Sequence, residues 1–181
     1  MLPILTPETI HRANSQFWEQ MLGMSLAPDP TNQPRHSEST SLMGVCELNG
    51  AWVGSIQVWL TPGLALAATA AMLMQPAQAV QPDDILDAVK EIANMIAGTI
   101  KSALPRPTTM AVPHAELTTP QATLPPNALA VRFLHATGEI LVCVLPSTTH
   151  ECITAPPVAA APSSLSGTMA APWQTHAHAL A

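Results

Sequence analysis

Apolar and polar positions change period along the chain, and Pro, Gly and Asn-Gly mark where one block gives way to the next. Over Pro7–Gly23, Ile10, Phe17, Met21 and Leu22, with Ala13 and Asn14 between them, form a helical stripe. Thr6 suits the N-cap, Pro7 the first turn, and Gly23 the C-terminal stop. Leu26–Ser41 carries Pro28, Pro30, Asn32 and Pro34 and reads as a loop. A hairpin is predicted next: Leu42–Leu48, the turn Asn49–Gly50, then Ala51–Leu60. Asn-Gly between apolar runs signals a tight turn because both residues take positive φ readily. Trp52, Ile56 and Val58 against Gly54, Ser55 and Gln57 give partial alternation.

Thr61–Pro62 opens a second helix to about Gln75, rich in Ala and Met and expected to pack on both sides. A third, longer helix starts at Pro82, with Asp83 and Asp84 at the positive end of its dipole. It runs to Leu104, where Pro105 stops it and Lys101 suits the negative end. Thr108–Leu117 reads as a strand that Pro113 confines to an edge or a bulge. A second hairpin closes the pattern: Ala130–His135, the turn Ala136-Thr137-Gly138, then Glu139–Leu145. Two hairpins with interposed helices predict a two-layer α/β domain with a largely antiparallel sheet. A doubly wound parallel sheet would repeat strand–helix–strand units, and the pattern has none.

Proline placement sets the domain limits. Only Pro62, Pro76 and Pro82 fall between Ser37 and Leu104, whereas eleven prolines lie from Pro105 onward. Thr154–Ala181 is rich in Ala, Pro, Ser and Thr and has no Asp, Glu, Lys or Arg. The expectation is one domain over residues 1–150 and a disordered tail over 151–181.

Composition then removes whole function classes. Charged residues are only 10% of the 181, against about 25% in ordinary domains, and the net charge is −6. Six Lys+Arg with no basic run argue against a phosphate-tracking nucleic-acid binder. An apolar content of 48% argues against general disorder. The apolar run Gly63–Met74 is too short to span a bilayer, and the N-terminus shows no signal peptide, so a cytoplasmic setting is expected. Cys46, Cys143 and Cys152 match no zinc or redox spacing and read as buried or incidental thiols. His114, His135 and His150 lie on different elements and form no constellation. His176 and His178 on the tail are a weak metal site at best. Trp18, Trp52 and Trp59 read as core or dimer-contact residues. Arg132 either pairs across the last hairpin with Glu139 or stays solvated.

One chemical feature stands out. On the third helix, Ile85, Val89, Ile92, Ile96, Ile100 and Ala103 share one side, at 100° per residue. Asp84, Asp87, Glu91, Asn94, Gly98 and Lys101 share the other and form a continuous seam. A solvated helix face is the simplest reading of such a seam. Three features argue for a docking or reaction face instead. The like charges Asp84, Asp87 and Glu91 repel one another. Asn94 is a poor mid-helix former, and Gly98 costs about 1 kcal/mol relative to Ala. Glu91 can accept hydrogen bonds or pair with a cation, and Asn94 can orient a water. No base–nucleophile pair is present at a helical neighbour position. Hard oxygen ligands suit Mg²⁺, but three acids on one helix rarely surround an ion.

The stretch Asp87-Ala-Val-Lys-Glu91-Ile-Ala-Asn94-Met-Ile-Ala-Gly98-Thr-Ile-Lys101-Ser102-Ala-Leu104 resembles the signature helix of the CheC/CheX/FliY phosphatases of bacterial chemotaxis. Their pattern is Asp or Ser, three residues, Glu, two residues, Asn. Here it is met by Asp87, Glu91 and Asn94. The hairpin ending Gly54-Ser-Ile-Gln-Val-Trp-Leu60, the helix with Met72-Leu73-Met74 and the strand with Val112-Pro113 follow in the family's order. The resemblance covers roughly residues 5–146.

It implies two long helices on one face of the sheet, related by a pseudo-twofold, with Pro7–Gly23 as partner of the signature helix. Alignment sets Phe17 opposite Glu91 and Gln20 opposite Asn94, so only one helix carries the pair. One site per chain resembles CheX, whose relatives form homodimers. The implied activity is hydrolysis of the aspartyl phosphate on a CheY-like response regulator. Glu91 would pair with the regulator's lysine, Asn94 would orient the attacking water, and Asp84, Asp87, Gly98 and Lys101 would help dock. The protein would need no cofactor of its own, because the regulator supplies Mg²⁺. Two alternatives stay open: a non-catalytic adaptor that binds a regulator or flagellar protein through the same helix, and a seam that merely faces solvent. The Pro-rich stretch Pro105–Pro126 falls where a dimerising strand is expected.

Overall fold

The computed structural model describes residues 5–29, 40–119, 124–125 and 127–147. Helix α1 (Pro7–Leu22) is followed by the short strand β1 (Ala27–Pro28) and the hairpin β2 (Ser41–Gly50) and β3 (Gly54–Leu60). Helices α2 (Pro62–Leu73) and α3 (Pro82–Lys101) come next, joined through a single 3-10 turn at Ala77–Ala79. The chain then forms β4 (Thr108–Met110), β5 (His114–Thr118) and a second hairpin, β6 (Leu129–His135) and β7 (Gly138–Pro146). All strands join one sheet in the order β1-β6-β7-β3-β2-β4, with β5 also on β2, and every pairing is antiparallel. The predicted two-layer antiparallel α/β class holds. The expected tail over 151–181, Cys152, His150, His176 and His178 lie outside the described residues.

Local sequence signals set most helix ends. Thr6 caps α1 by accepting the amide of Thr9, and Gly23 ends it in the left-handed conformation at φ 64°. In α3, Asp84 accepts the amide of Gln81 at 3.0 Å, closing the first turn. Thr61 behaves otherwise. Its hydroxyl accepts the Glu139 amide at 3.0 Å, so it ties the start of α2 to the second hairpin and leaves its own helix uncapped.

The core forms where the helices meet one face of the sheet. Leu42, Cys46, Leu48, Ile56, Val58, Leu60, Val131, Phe133, Ile140, Val142 and Val144 bury there against Ile10, Phe17 and Trp18 of α1, Leu64 and Ala68 of α2, and Ile85, Val89, Ile92, Ile96 and Ile100 of α3. α3 lies over β2, β3 and β5, α1 over β6, and α2 over β7 between them. The central β3–β7 pair is antiparallel, which places the two hairpins about a local twofold. Gly44 of β2 faces α3. A Cβ there would stand 2.7 Å from the Ala93 Cβ and 2.8 Å from the Val89 carbonyl, so only glycine lets the helix lie this close.

Several expectations are corrected. Asn49–Gly50 is not the hairpin turn. Both residues extend β2 and pair with Thr109 and Thr108 of β4, and the chain reverses through Ala51–Val53. A second partner strand on the other edge outweighs the local turn preference. Within the expected loop Leu26–Ser41, Ala27–Pro28 adds a short edge strand to β6. Met21, placed on the apolar stripe of α1, is 62% exposed, and Met74 at the end of α2 is 91% exposed. Thr108–Leu117 does form an edge strand, interrupted at Ala111–Pro113 as proline requires.

Arg132 is not solvated. It is 2% exposed, with its guanidinium 3.5 Å from Glu139 Oε2 and 3.9 Å from Asp29 Oδ2.

Candidate functional site

The outer surface of α3 divides into two ridges four residues apart along the helix. Asp83, Asp87, Glu91, Met95 and Thr99 are exposed and form the crest. Lys90, Asn94 and Gly98 are half-buried and flank it. The opposite side, from Ile85 to Ile100, is locked into the core, so the helix cannot rotate to hide this surface. The predicted seam therefore lies outside, with Asp84 at its margin and Lys101 half-buried in the last turn.

Four carboxylates sit on α3, and the structure gives them different surroundings. Asp84 serves the helix cap. Asp87 accepts a hydrogen bond from Lys90 Nζ at 2.7 Å, so its charge is matched. Asp83 stands in the first turn, where the free amides and helix dipole compensate it. Glu91 has no cation within ion-pair range among the described residues. Its partner is Asn94, whose Nδ2 donates to Oε2 at 3.5 Å. An open carboxylate and an amide thus sit one turn apart, both facing outward.

Gly98 continues the surface as an opening. A Cβ built there meets nothing within 4 Å. Nothing inside the fold requires glycine at this position. Met95, an apolar side chain 37% exposed on the crest, stands between the pair and that opening. Sequence periodicity missed Met95 because it counted only polar residues. It missed Lys90 because this lysine falls between the seam positions, although Asp-Lys at i,i+3 was a visible signal.

The neighbouring thiol offers no nucleophile. Burial, and secondly the Glu91 carboxylate, push Cys46 up to about 11. Burial alone pushes Cys143 up to about 12. Both stay protonated near neutrality and are unreactive. Among the described residues, no three His, Cys, Asp or Glu side chains gather to hold a metal. His135 Nδ1 lies 2.8 Å from the Thr137 hydroxyl at the β6–β7 turn, remote from α3 in the fold. On α1, Phe17 is buried whereas Glu91 is exposed, so the expected alignment of the two does not put them on equivalent faces; the exposed face of α1 carries Gln16, Glu19 and Gln20 and no Glu/Asn pair.

Comparison with known proteins bears on the family and the fold. The family model "Chemotaxis phosphatase CheX" matches residues 42–128, a span that includes all of α3. No curated protein sequence matches the chain. Among solved structures, chemotaxis protein CheX from Vibrio vulnificus aligns at a TM-score of 0.64 and 19% identity, over 80% of this chain and 98% of that one. CheX from Desulfovibrio desulfuricans aligns at 0.59 and 24%, over 77% and 97%. A chain of the CheX-CheY-BeF3-Mg complex from Borrelia burgdorferi aligns at 0.60 and 17%, over 77% and 96%. The chain is CheX-like in both respects: it matches the CheX family model across residues 42–128, and it has the CheC/CheX fold.

Proposed function

We propose that the protein hydrolyses the aspartyl phosphate of a CheY-like response regulator. The observation that carries this reading is the Glu91–Asn94 pair: an uncompensated carboxylate and an amide held outward, one turn apart, on a helix fixed by its buried side. The CheX family match and the solved complex of a relative with CheY support it.

Glu91 pairs with the regulator's lysine and sets the register of the two proteins. The Asn94 side-chain carbonyl accepts a hydrogen bond from a water and turns its lone pair toward phosphorus, in line with the aspartyl oxygen that leaves. Mg²⁺ belongs to the regulator. Phosphoryl transfer needs positioning and charge stabilisation more than covalent chemistry, so an acid and an amide suffice. Gly98 and Lys101 border the contact, Asp84 holds the helix start, Asp87 is paired with Lys90 and makes no contact of its own, and the protein works in the cytoplasm. The outer edge of β4–β5 is suited to pairing with a second copy, giving a homodimer whose mass light scattering would report.

The test uses a CheY-type receiver from the same genome, phosphorylated with acetyl phosphate. The full chain accelerates its dephosphorylation. Asn94→Ala abolishes that acceleration and leaves binding to the beryllofluoride-activated receiver nearly intact. Binding without acceleration by the wild-type chain would establish the adaptor reading. Unchanged binding by Glu91→Lys would leave the seam as a plain solvent face.

A further inference from the structure

Asp87 and Glu91 lie on the same crest, one helical turn and about 6 Å apart. Both are exposed carboxylates facing the same way. An incoming cation therefore meets two alternative partners. Docking on Asp87 would shift the regulator by that 6 Å along α3 and carry the phosphate out of reach of Asn94. The fold resolves this competition with one residue. Lys90 Nζ lies 2.7 Å from Asp87 Oδ1, the Asp87 side chain is 75% exposed, and Glu91 has only the neutral Asn94 amide. Lys90 is one of only six Lys and Arg in the chain.

We propose that Lys90 is a positioning residue. By holding Asp87 it leaves Glu91 as the open carboxylate on the crest beyond the first turn, and so selects the register in which Asn94 meets the phosphate. This inference rests on the phosphatase reading above. It assigns Lys90 no contact with the reacting atoms.

The kinetic signature of lost register differs from that of lost binding. Docking on Asp87 sequesters the regulator in a complex that does not react. Such non-productive binding lowers kcat and KM by the same factor and leaves kcat/KM unchanged. An exposed pair is worth up to about 1 kcal/mol, so the drop is about two- to fivefold.

The experiment measures steady-state dephosphorylation of the phosphorylated CheY-type receiver by the full chain. Lys90→Gln lowers kcat and KM together, with thermal stability unchanged. Asp87→Asn added to Lys90→Gln restores both, because the competing carboxylate is gone. Lys90→Arg keeps the pair and the wild-type constants. Unchanged constants for Lys90→Gln in an active protein would overturn this inference alone. So would a loss that Asp87→Asn does not repair, since Lys90 would then act on the regulator directly. An inactive wild-type chain would overturn the phosphatase reading and this inference together.

Discussion

Gly98 carries a cost that nothing in the fold offsets. A glycine inside a helix sacrifices about 1 kcal/mol relative to alanine, and the space beside it is open. Gly98→Ala is therefore expected to raise stability by about 0.5–1 kcal/mol, read as a higher urea midpoint. If a partner surface approaches there, the same substitution weakens receiver binding. A stability gain with binding untouched would remove Gly98 from the docking face. Cys46 and Cys143 act in the opposite sense, through burial. Their folded pKa values stand above the ordinary thiol value of 9.0, at about 11 and 12. The unfolded chain releases these protons first as pH rises, so the stability they contribute is complete below about 9 and declines through 11 to 12. Melting temperature should fall over that window. The fall should be shallower in the Cys46→Ala, Cys143→Ala double variant, compared with its own value at pH 7.

At the level of elements, α3 is held by two different devices. Its ends are local: Pro82, the Asp84 acceptor and Lys101 would serve any helix of this sequence. Its seat on the sheet depends on Gly44, a residue of another element. Gly44→Val should lift α3 off β2 and cost about 1–3 kcal/mol, measured by denaturant unfolding. Receiver binding should weaken with it, because the crest of α3 moves. A Gly44→Val protein as stable as wild type would mean that the helix yields without strain. The β2–β3 hairpin shows the same dependence on a distant partner. Asn49 and Gly50 have the chemistry of a tight turn, but pairing with Thr109 and Thr108 draws them into a longer strand.

The whole molecule buries one cation deeply among its described residues. Arg132, on β6 of the second hairpin, sits with Asp29 from beside β1 and Glu139 from the neighbouring strand β7. Desolvating a guanidinium is costly, and removing it leaves buried carboxylate charge without a counterion. Arg132→Ala should therefore destabilise by about 3–5 kcal/mol, seen as a large fall in the urea midpoint. Arg132→Ala with an unchanged midpoint would show that the cluster contributes nothing net. The site is far from this cluster in the fold, so any protein that still folds should retain its kcat.

The amino-acid sequence by itself determined what short-range physics governs. Thr6, Gly23 and Pro82 mark helix ends because capping and missing donors act within one turn, whereas α3 ends at Lys101, before the expected stop at Pro105. Pro113 breaks an edge strand because it has no N–H to give. Glu91 and Asn94 were legible because helical periodicity alone puts them on one face. Tertiary structure decided what depends on residues far apart in sequence: the strand that captures Asn49–Gly50, the close seat of Gly44 on Ala93, and the burial of Arg132 with Asp29. Backbone and side-chain pairings of that kind gain their free energy only after the chain has closed on itself, and no local spacing encodes them. The sorting of four acids into a cap, an ion pair, a dipole-compensated end and one open carboxylate lies between these cases. Its spacings are local, but only the folded helix, with its apolar side fixed against the sheet, shows which carboxylate beyond the first turn faces outward without a cation.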